Sequence, residues 1–225
     1  MNFPSEGDYI DIHNHGGVSS PGIFCVENLM AHENRLPDNL KGMTYSYGIH
    51  PWHLNEENLP ELIKQVERVS DHNNIFAVGE AGFDRLKGPD KEIQIKAFRA
   101  QTEIAGRIRK PLFIHCVKGW DELIEEHRRA KPENPWTVHG FRGSAQLAKQ
   151  LVKRGFYLSL WFSFAMDPSS DEVLKAIPDD RVFLETDGSG EDIASIYSRV
   201  AAGKGMKVKE LQNQIYKNFF ALAGN

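Results

Sequence analysis

Apolar, strand-like runs alternate with amphipathic helical stretches along almost the whole chain, and most of the runs end in a histidine or an acid. That alternation restricts the fold more than any other feature. Near-continuous apolar runs belong to strands buried on both faces, as in a parallel sheet covered by helices. The runs are YIDIHNHGG (Tyr9 to Gly17), GIFCVENLM (Gly22 to Met30), TYSYGIHPW (Thr44 to Trp52), IFAVGEAGFD (Ile75 to Asp84), RKPLFIHCVKG, WTVHGF, FYLSLWFSF and RVFLETDG.

The stretches between them carry helix signals. One helix is predicted from about Asn58, with Pro60 in its first turn and Leu59, Leu62, Val66 and Val69 on one face. A longer one runs from about Pro89 to Arg109, with Ile95, Phe98, Thr102, Ala105 and Ile108 inward. WDELIEEHRRA has acids first and His127, Arg128 and Arg129 last, as the helix dipole favours. GSAQLAKQLVKRG offers Ser144 as N-cap and Gly155 as stop. A short helix is predicted over Ser170 to Ile177, and two more finish the chain. The last presents Val208, Leu211, Ile215, Phe219 and Leu222 to the core.

Eight strands in 225 residues suit a compact (β/α)8 barrel of TIM type, one domain over 1–225, with a doubly wound open sheet as the alternative. Residues 16–43 hardly hold two full crossover helices, so the elements between strands 1 and 3 are expected to be short or replaced by loops. With 40% hydrophobic residues the chain has material for a sizeable core. A formal net charge of -4 and no long run of one sign argue against a broad basic footprint. Cys25 and Cys116 lie in apolar runs and read as reduced core residues of a cytoplasmic protein. The N-terminal MNFPSEGD has neither the basic nor the apolar region of a signal peptide, and no window approaches the about 20 apolar residues of a membrane span.

His13, His15, His50, Glu80, His115, His139 and Asp187 each follow an apolar strand body and precede a loop. His13 and His15 share strand parity, so they point to one side, about 6–7 Å apart along the strand. Singly, each residue has a plain reading: His115 as a bonded core histidine, His139 as a turn cap, Glu80 and Asp187 as solvated acids. Together they do not, because a parallel barrel brings all strand C-termini to one face. Histidines and carboxylates gathered there are costly unless something neutralises and ligates them, and a divalent metal does both. Imidazole nitrogen with carboxylate oxygen suits Zn, Mn, Fe or Co, and Mg where water completes the shell. Glu80, mid-constellation, is placed to bridge two ions, and Asp187 to take a proton from water.

The segments DIHNH, GIHPW, GEAGFD, KPLFIHC, HGFRGS and FLETD, in that order, resemble the TatD family of metal-dependent hydrolases among the amidohydrolase-like barrels. The C-terminal IYSRVAAGKGM and KNFFALAG match as well. The resemblance implies a (β/α)8 fold, two divalent ions and hydrolysis of phosphodiesters, typically in DNA. By position, the implied ligands are His13, His15, Glu80, His115, His139 and Asp187. His50 falls on the substrate side, and Glu80 and Asp187 are the implied catalytic residues.

The departures lie on the substrate side. Val117 stands where the family usually has an arginine, with Lys118 next, and ETD runs into GSGED instead of a proline and a long loop. Lys118, Arg142 and Arg85 remain as basic residues just beyond strand ends. A trimmed substrate shell predicts weak binding of single-stranded or short nucleic acid. It also keeps open an amide, ester or lactone hydrolase on the same metal site. Asp11 and Glu185 share parity with His13 and Asp187 and read either as partners of ligand histidines or as a buried salt bridge. Trp161, Phe162 and Phe164 at the end of the seventh strand read as core filling, with an aromatic wall that could stack a base as the alternative, and His53 and His72 as surface histidines. His32 receives no role.

Overall fold

The computed structural model describes residues 2–17, 19–36 and 43–224. The polar stretch 33–42, read from sequence as turn-rich, falls largely outside them. Eight strands lie in one sheet in the order of the chain: β1 (Tyr9–Asn14), β2 (Ile23–Met30), β3 (Thr44–Gly48), β4 (Ile75–Asp84), β5 (Leu112–Val117), β6 (Trp136–Val138), β7 (Tyr157–Trp161) and β8 (Val182–Glu185). The described pairings between named strands are parallel. Helices follow β3 to β8: α1 (Leu59–Val69), α2 (Lys91–Arg107), α3 (Trp120–Ala130), α4 (Ala145–Lys153), α5 (Phe162–Ala165), α6 (Asp171–Ala176), α7 (Ile193–Lys204) and α8 (Val208–Leu222). This is a TIM-type (β/α)8 barrel. As expected from the short 16–43 segment, no α-helix is described between β1 and β3, only a 3-10 turn at Ala31–Glu33.

The chain forms two compact units. One holds Asn28–Trp136, the other Asn2–Glu27 with Thr137–Asn225. In the first, β3, β4 and β5 are adjacent. Every residue of β4 is buried, as a strand covered on both faces must be. α1 buries Leu59, Leu62, Val66 and Val69, the predicted stripe. α2 differs in detail. Phe98, Thr102 and Ala105 are buried with Ala97, Gln101 and Ile104, whereas Ile95 and Ile108 are only half-buried. The polar Gln101 is buried because its amide donates to Ile49 O and accepts from Ile49 N–H, tying helix to strand end.

In the second unit, β8 returns to lie beside β1: Thr186 N–H donates to Asp11 Oδ1 at 3.0 Å and Asp187 N–H to His13 O at 3.2 Å. Ser144 caps α4 by accepting Leu147 N–H, as its position implied. Leu211, Ile215, Phe219 and Leu222 of α8 are buried, while Val208 stays half-buried in the first turn. β7 ends earlier than predicted. The chain turns into α5 at Phe162, so Phe162 and Phe164 leave the strand and stand half-buried.

Candidate metal centre

Each unit holds a cluster of predicted site residues. In the second unit, the end of β1 and the residues after β8 bring His13, His15 and Asp187 together. The two Nε2 atoms are 3.3 Å apart, and Asp187 Oδ1 lies 3.6 Å from that of His13 and 3.4 Å from that of His15. For comparison, a tetrahedral ion with metal–nitrogen bonds of about 2.0–2.1 Å holds neighbouring ligand atoms about 3.3–3.4 Å apart. Two neutral nitrogen donors and a carboxylate oxygen at that spacing fit a divalent cation. His13 is fully buried, and the side chains of His15 and Asp187 are about one-third exposed, so the cluster opens to one side.

Local backbone explains how Asp187 gets there. Its φ is +51°, a left-handed conformation that aspartate tolerates better than most residues. Gly188 continues in the same region at φ +68°, and a Cβ there would stand 3.0 Å from that of His15. The G after ETD thus lets the chain pass close to His15.

His139, just past β6, joins this cluster, its ring 4.2 Å from that of His13. His139 Nδ1 lies 3.3 Å from Glu185 Oε1, which also accepts Gly140 N–H at 2.6 Å. A proton on Nδ1 is therefore held by Glu185, and the lone pair is left on Nε2, able to ligate. Asp11 does not share this role. It accepts Thr186 N–H, the Thr186 hydroxyl and Asn14 Nδ2–H, and touches no histidine by hydrogen bond. Burial lifts its carboxyl to about 6, against the pull of those bonds. A cavity of about 320 Å³ opens beside His15, walled by Asp11, Asn14, Gly188, Glu191 and Asp192.

In the first unit, Glu80 Oε2 faces His50 Nε2 at 3.5 Å and His115 Nδ1 at 3.6 Å, with all three residues buried. Asn28 Nδ2–H donates to Glu80 Oε1 at 3.0 Å, and the Ser46 hydroxyl donates to Asn28 Oδ1 at 2.8 Å. One oxygen of Glu80 is thereby fixed and the other left for the histidines. The two histidines are set oppositely. His50 Nδ1 accepts Trp52 N–H, which leaves the proton of a neutral ring on Nε2, pointing at Glu80. His115 Nε2 instead meets Asp84 Oδ2 at 3.1 Å, which places the proton there and the lone pair on Nδ1. Toward Glu80, His115 thus turns a lone pair and His50 an N–H.

Asp84 also accepts Trp52 Nε1–H at 2.7 Å and the N–H groups of Leu86 and Lys87. Burial alone would raise its pKa, but these bonds, with that from His115, outweigh it and hold the carboxyl at about 2. Gly82, at φ +151°, lets β4 pass close to β5, since a Cβ there would collide with the carbonyl oxygen of His115.

The model of the TatD-related DNase family matches residues 30–224 of this chain. The chain belongs to that family. An uncharacterized metal-dependent hydrolase of Bacillus subtilis, YabD, is 31% identical over 166 residues, 68% of this chain and 62% of that protein. A relative from Erwinia billingiae named a 3'-5' ssDNA/RNA exonuclease TatD is 29% identical over 146 residues, 62% of this chain and 55% of that one. The chain thus spans a little over half to under two thirds of the length of these curated relatives. Among solved structures, the TatD homologue YJJV from Escherichia coli K12 superposes with a TM-score of 0.82, at 21% identity, over 97% of this chain and 98% of its own. A TatD-family hydrolase from Entamoeba histolytica gives 0.76 at 21% identity, over 97% and 99%. At that identity the likeness speaks for the fold.

Of the predicted substrate-side residues of this TatD-family chain, His50 lies in the cluster with Glu80 and His115. Lys118 and Arg142 are exposed, the Arg142 guanidinium 5.7 Å from the centre of the Trp161 ring. Arg85 is engaged by Glu122 of α3. Sequence reasoning missed Asn28, Asp84 and Trp52 as parts of the site. Asn28 had a signal, a polar side chain inside the apolar run GIFCVENLM. Asp84 was read only as the last letter of the GEAGFD motif.

Proposed function

We propose that this TatD-family chain is a divalent-metal-dependent phosphodiesterase, a nuclease acting on single-stranded or short nucleic acid, and that residues 1–225 work as one domain. The observation that carries the reading is the spacing of His13, His15 and Asp187, three donor atoms 3.3–3.6 Å apart in a cluster open on one side. His13, His15, His139 and Asp187 would hold one ion, and His115 with Glu80 another. When bound, Mg²⁺, Mn²⁺ or Zn²⁺ would lower the pKa of water and offset the charge of the phosphoryl oxygens.

The chain's own groups do the rest. Asp187, at the open side, accepts the proton of the attacking water. Glu185 keeps His139 in one tautomer and one orientation, and Asp84 does the same for His115. His50 offers an N–H beside Glu80 and serves substrate instead of metal. Lys118 and Arg142 supply the exposed cations for phosphate. With a net charge of -4 and so few cations near the strand ends, binding is weak and falls only gently with salt. That favours strand ends over sites within a duplex. Among the described residues no helix is long and apolar enough to cross a membrane. Cys25 and Cys116 are both free thiols, in keeping with a reducing cytoplasm.

One observation favours a second reading. Three acids, Asp11, Glu191 and Asp192, are among the residues lining the cavity beside His15, which suits a neutral or cationic group better than a phosphate. An amide, ester or lactone substrate would fill it. The deciding experiment incubates metal-loaded and chelated protein with end-labelled single strands, blunt duplex and closed circular DNA, and with simple esters, lactones and amides. The nuclease reading expects ladder-like shortening of the single strand, lost on chelation and restored by Mn²⁺, Mg²⁺ or Zn²⁺. Metal-dependent turnover of an ester, lactone or amide with no nucleic acid cleaved would establish the second reading. Full activity in a metal-free preparation would overturn both.

A further inference from the structure

Trp52 closes the GIHPW segment and has no part in holding metal. Its side chain is 41% exposed although the histidines on either side of it, His50 and His115, are buried. An exposed indole is ordinarily a loose one, but this one is anchored twice. Its Nε1–H donates to Asp84 Oδ2 at 2.7 Å, and its backbone N–H donates to His50 Nδ1 at 3.1 Å. Pro51 starts the 3-10 turn that carries it and restricts the backbone further. The ring stands edge-on to both histidines, 4.7 Å from His50 and 5.7 Å from His115 between centroids. Its anchoring carboxylate is the one that orients His115.

The face of the ring is marked by Lys87, whose Nζ lies 4.1 Å from the ring centre. A lysine over an indole is held by a cation–π attraction of modest strength and can swing away. A second flat surface lies alongside. His53, 6.4 Å from Trp52, stacks on His32 at 3.8 Å and 16°. The sequence offered no role for either histidine. In space this pair of rings lies beside Trp52, inclined to it by 64°, and adds a second, separate stacked face near the His50–Glu80–His115 cluster.

We propose that the exposed face of Trp52 is a stacking platform for a nucleobase of the strand being cleaved, adjacent to the phosphodiester held at the cluster. This rests on the nuclease reading above and names a specificity contact for it. Every base has a π-face, so such a platform binds without sequence preference. The base replaces Lys87 over the ring, and the freed ammonium turns to the strand's phosphate. The double anchor makes the surface preorganised, so little side-chain freedom is lost when a base arrives. A duplex, whose bases are already stacked on one another, cannot use it.

The test measures binding of metal-loaded protein to a short oligothymidylate and to an abasic oligomer of equal length, for wild type, Trp52→Leu and Trp52→Phe. Metal content and thermal melting are checked on each. Loss of one stacking contact should weaken oligothymidylate binding about 10–100-fold in Trp52→Leu, and the abasic oligomer, which has no base to stack, should lose far less. Trp52→Phe, which keeps a π-face, should recover most of the loss. In wild type a 2-aminopurine placed in the strand should be quenched on binding, and less so in Trp52→Leu. Equal losses for both oligomers, or none for either, would overturn the platform. So would an unquenched 2-aminopurine at saturation, a readout that stands even if Trp52→Leu does not fold. If wild type binds and cleaves no nucleic acid while turning over a simple ester, the nuclease reading has failed, and the platform falls with it for that separate reason.

Discussion

Glu185 Oε1 lies 3.3 Å from His139 Nδ1 inside the second unit, and Glu185 is completely buried. A carboxylate in that position fixes which nitrogen of the imidazole is left for metal. Glu185→Gln keeps the volume and removes the charge that holds the proton on Nδ1. Metal affinity, followed by competition with a chelator, should fall about 10–100-fold. Unchanged affinity would show that Glu185 only fills space.

His13→Ala with His15→Ala removes two of the four donors proposed for one ion. The purified protein should carry less bound metal, and added metal should no longer raise its melting temperature. For wild type, metal at about 100 times its Kd should add about 2.7 kcal/mol of stability. A double mutant that is still stabilised by metal as strongly as wild type would remove these histidines from the ligand set.

Asp187→Asn should leave the fold intact, since the residue is exposed on one side and the amide can keep the left-handed backbone. Its amide accepts no proton at neutral pH. The expected loss is in kcat, on the order of 10²–10⁴, read beside an unchanged circular dichroism spectrum. A kcat near that of wild type would mean another group is the base.

The opposite settings of His50 and His115 predict opposite outcomes. His115→Ala should lower the bound metal count. His50→Ala should keep it and lose activity, because its Nε2 carries a proton and offers no lone pair. Loss of metal on removing His50 would refute that assignment of tautomers.

Glu126 on α3 takes two hydrogen bonds from Arg99 and one from Arg129, and the bonds from Arg99 are the main reason its pKa lies below its ordinary 4.5. Burial works the other way. A carboxyl whose folded pKa is depressed stabilises the fold above its unfolded pKa and loses that contribution as pH falls through the folded one. Glu126→Gln should therefore cost about 1 kcal/mol at pH 7, a modest figure because Arg99 is half-exposed. Urea unfolding should show the difference at neutral pH and its disappearance once the pH lies below the Glu126 pKa of the folded as well as the unfolded state.

Much of the barrel was legible in the chain because its signals are local. A strand repeats every two residues and a helix every 3.6. So the stripe Leu59, Leu62, Val66 and Val69, the Ser144 cap and the shared side of His13 and His15 could be read from neighbours in sequence. Periodicity was weaker at the ends of elements: Phe162 and Phe164 continue an apolar run, yet the backbone had already turned into α5.

The tertiary structure alone decided which partner each polar group meets. Asn28 reaches Glu80 across 52 residues, and Asp84 gathers Trp52 from 32 residues before it and His115 from 31 after. Asp11 and Glu185 have the same parity relation to a ligand, and only one of them touches a histidine. Residue type and strand position determine that a donor or an acid arrives at the end of a strand. Hydrogen bonding acts over about 3 Å and needs direction as well as proximity. Which nitrogen of His50 or His115 carries a proton, and whether the indole of Trp52 is buried or open, therefore follow only once the strands have been laid side by side.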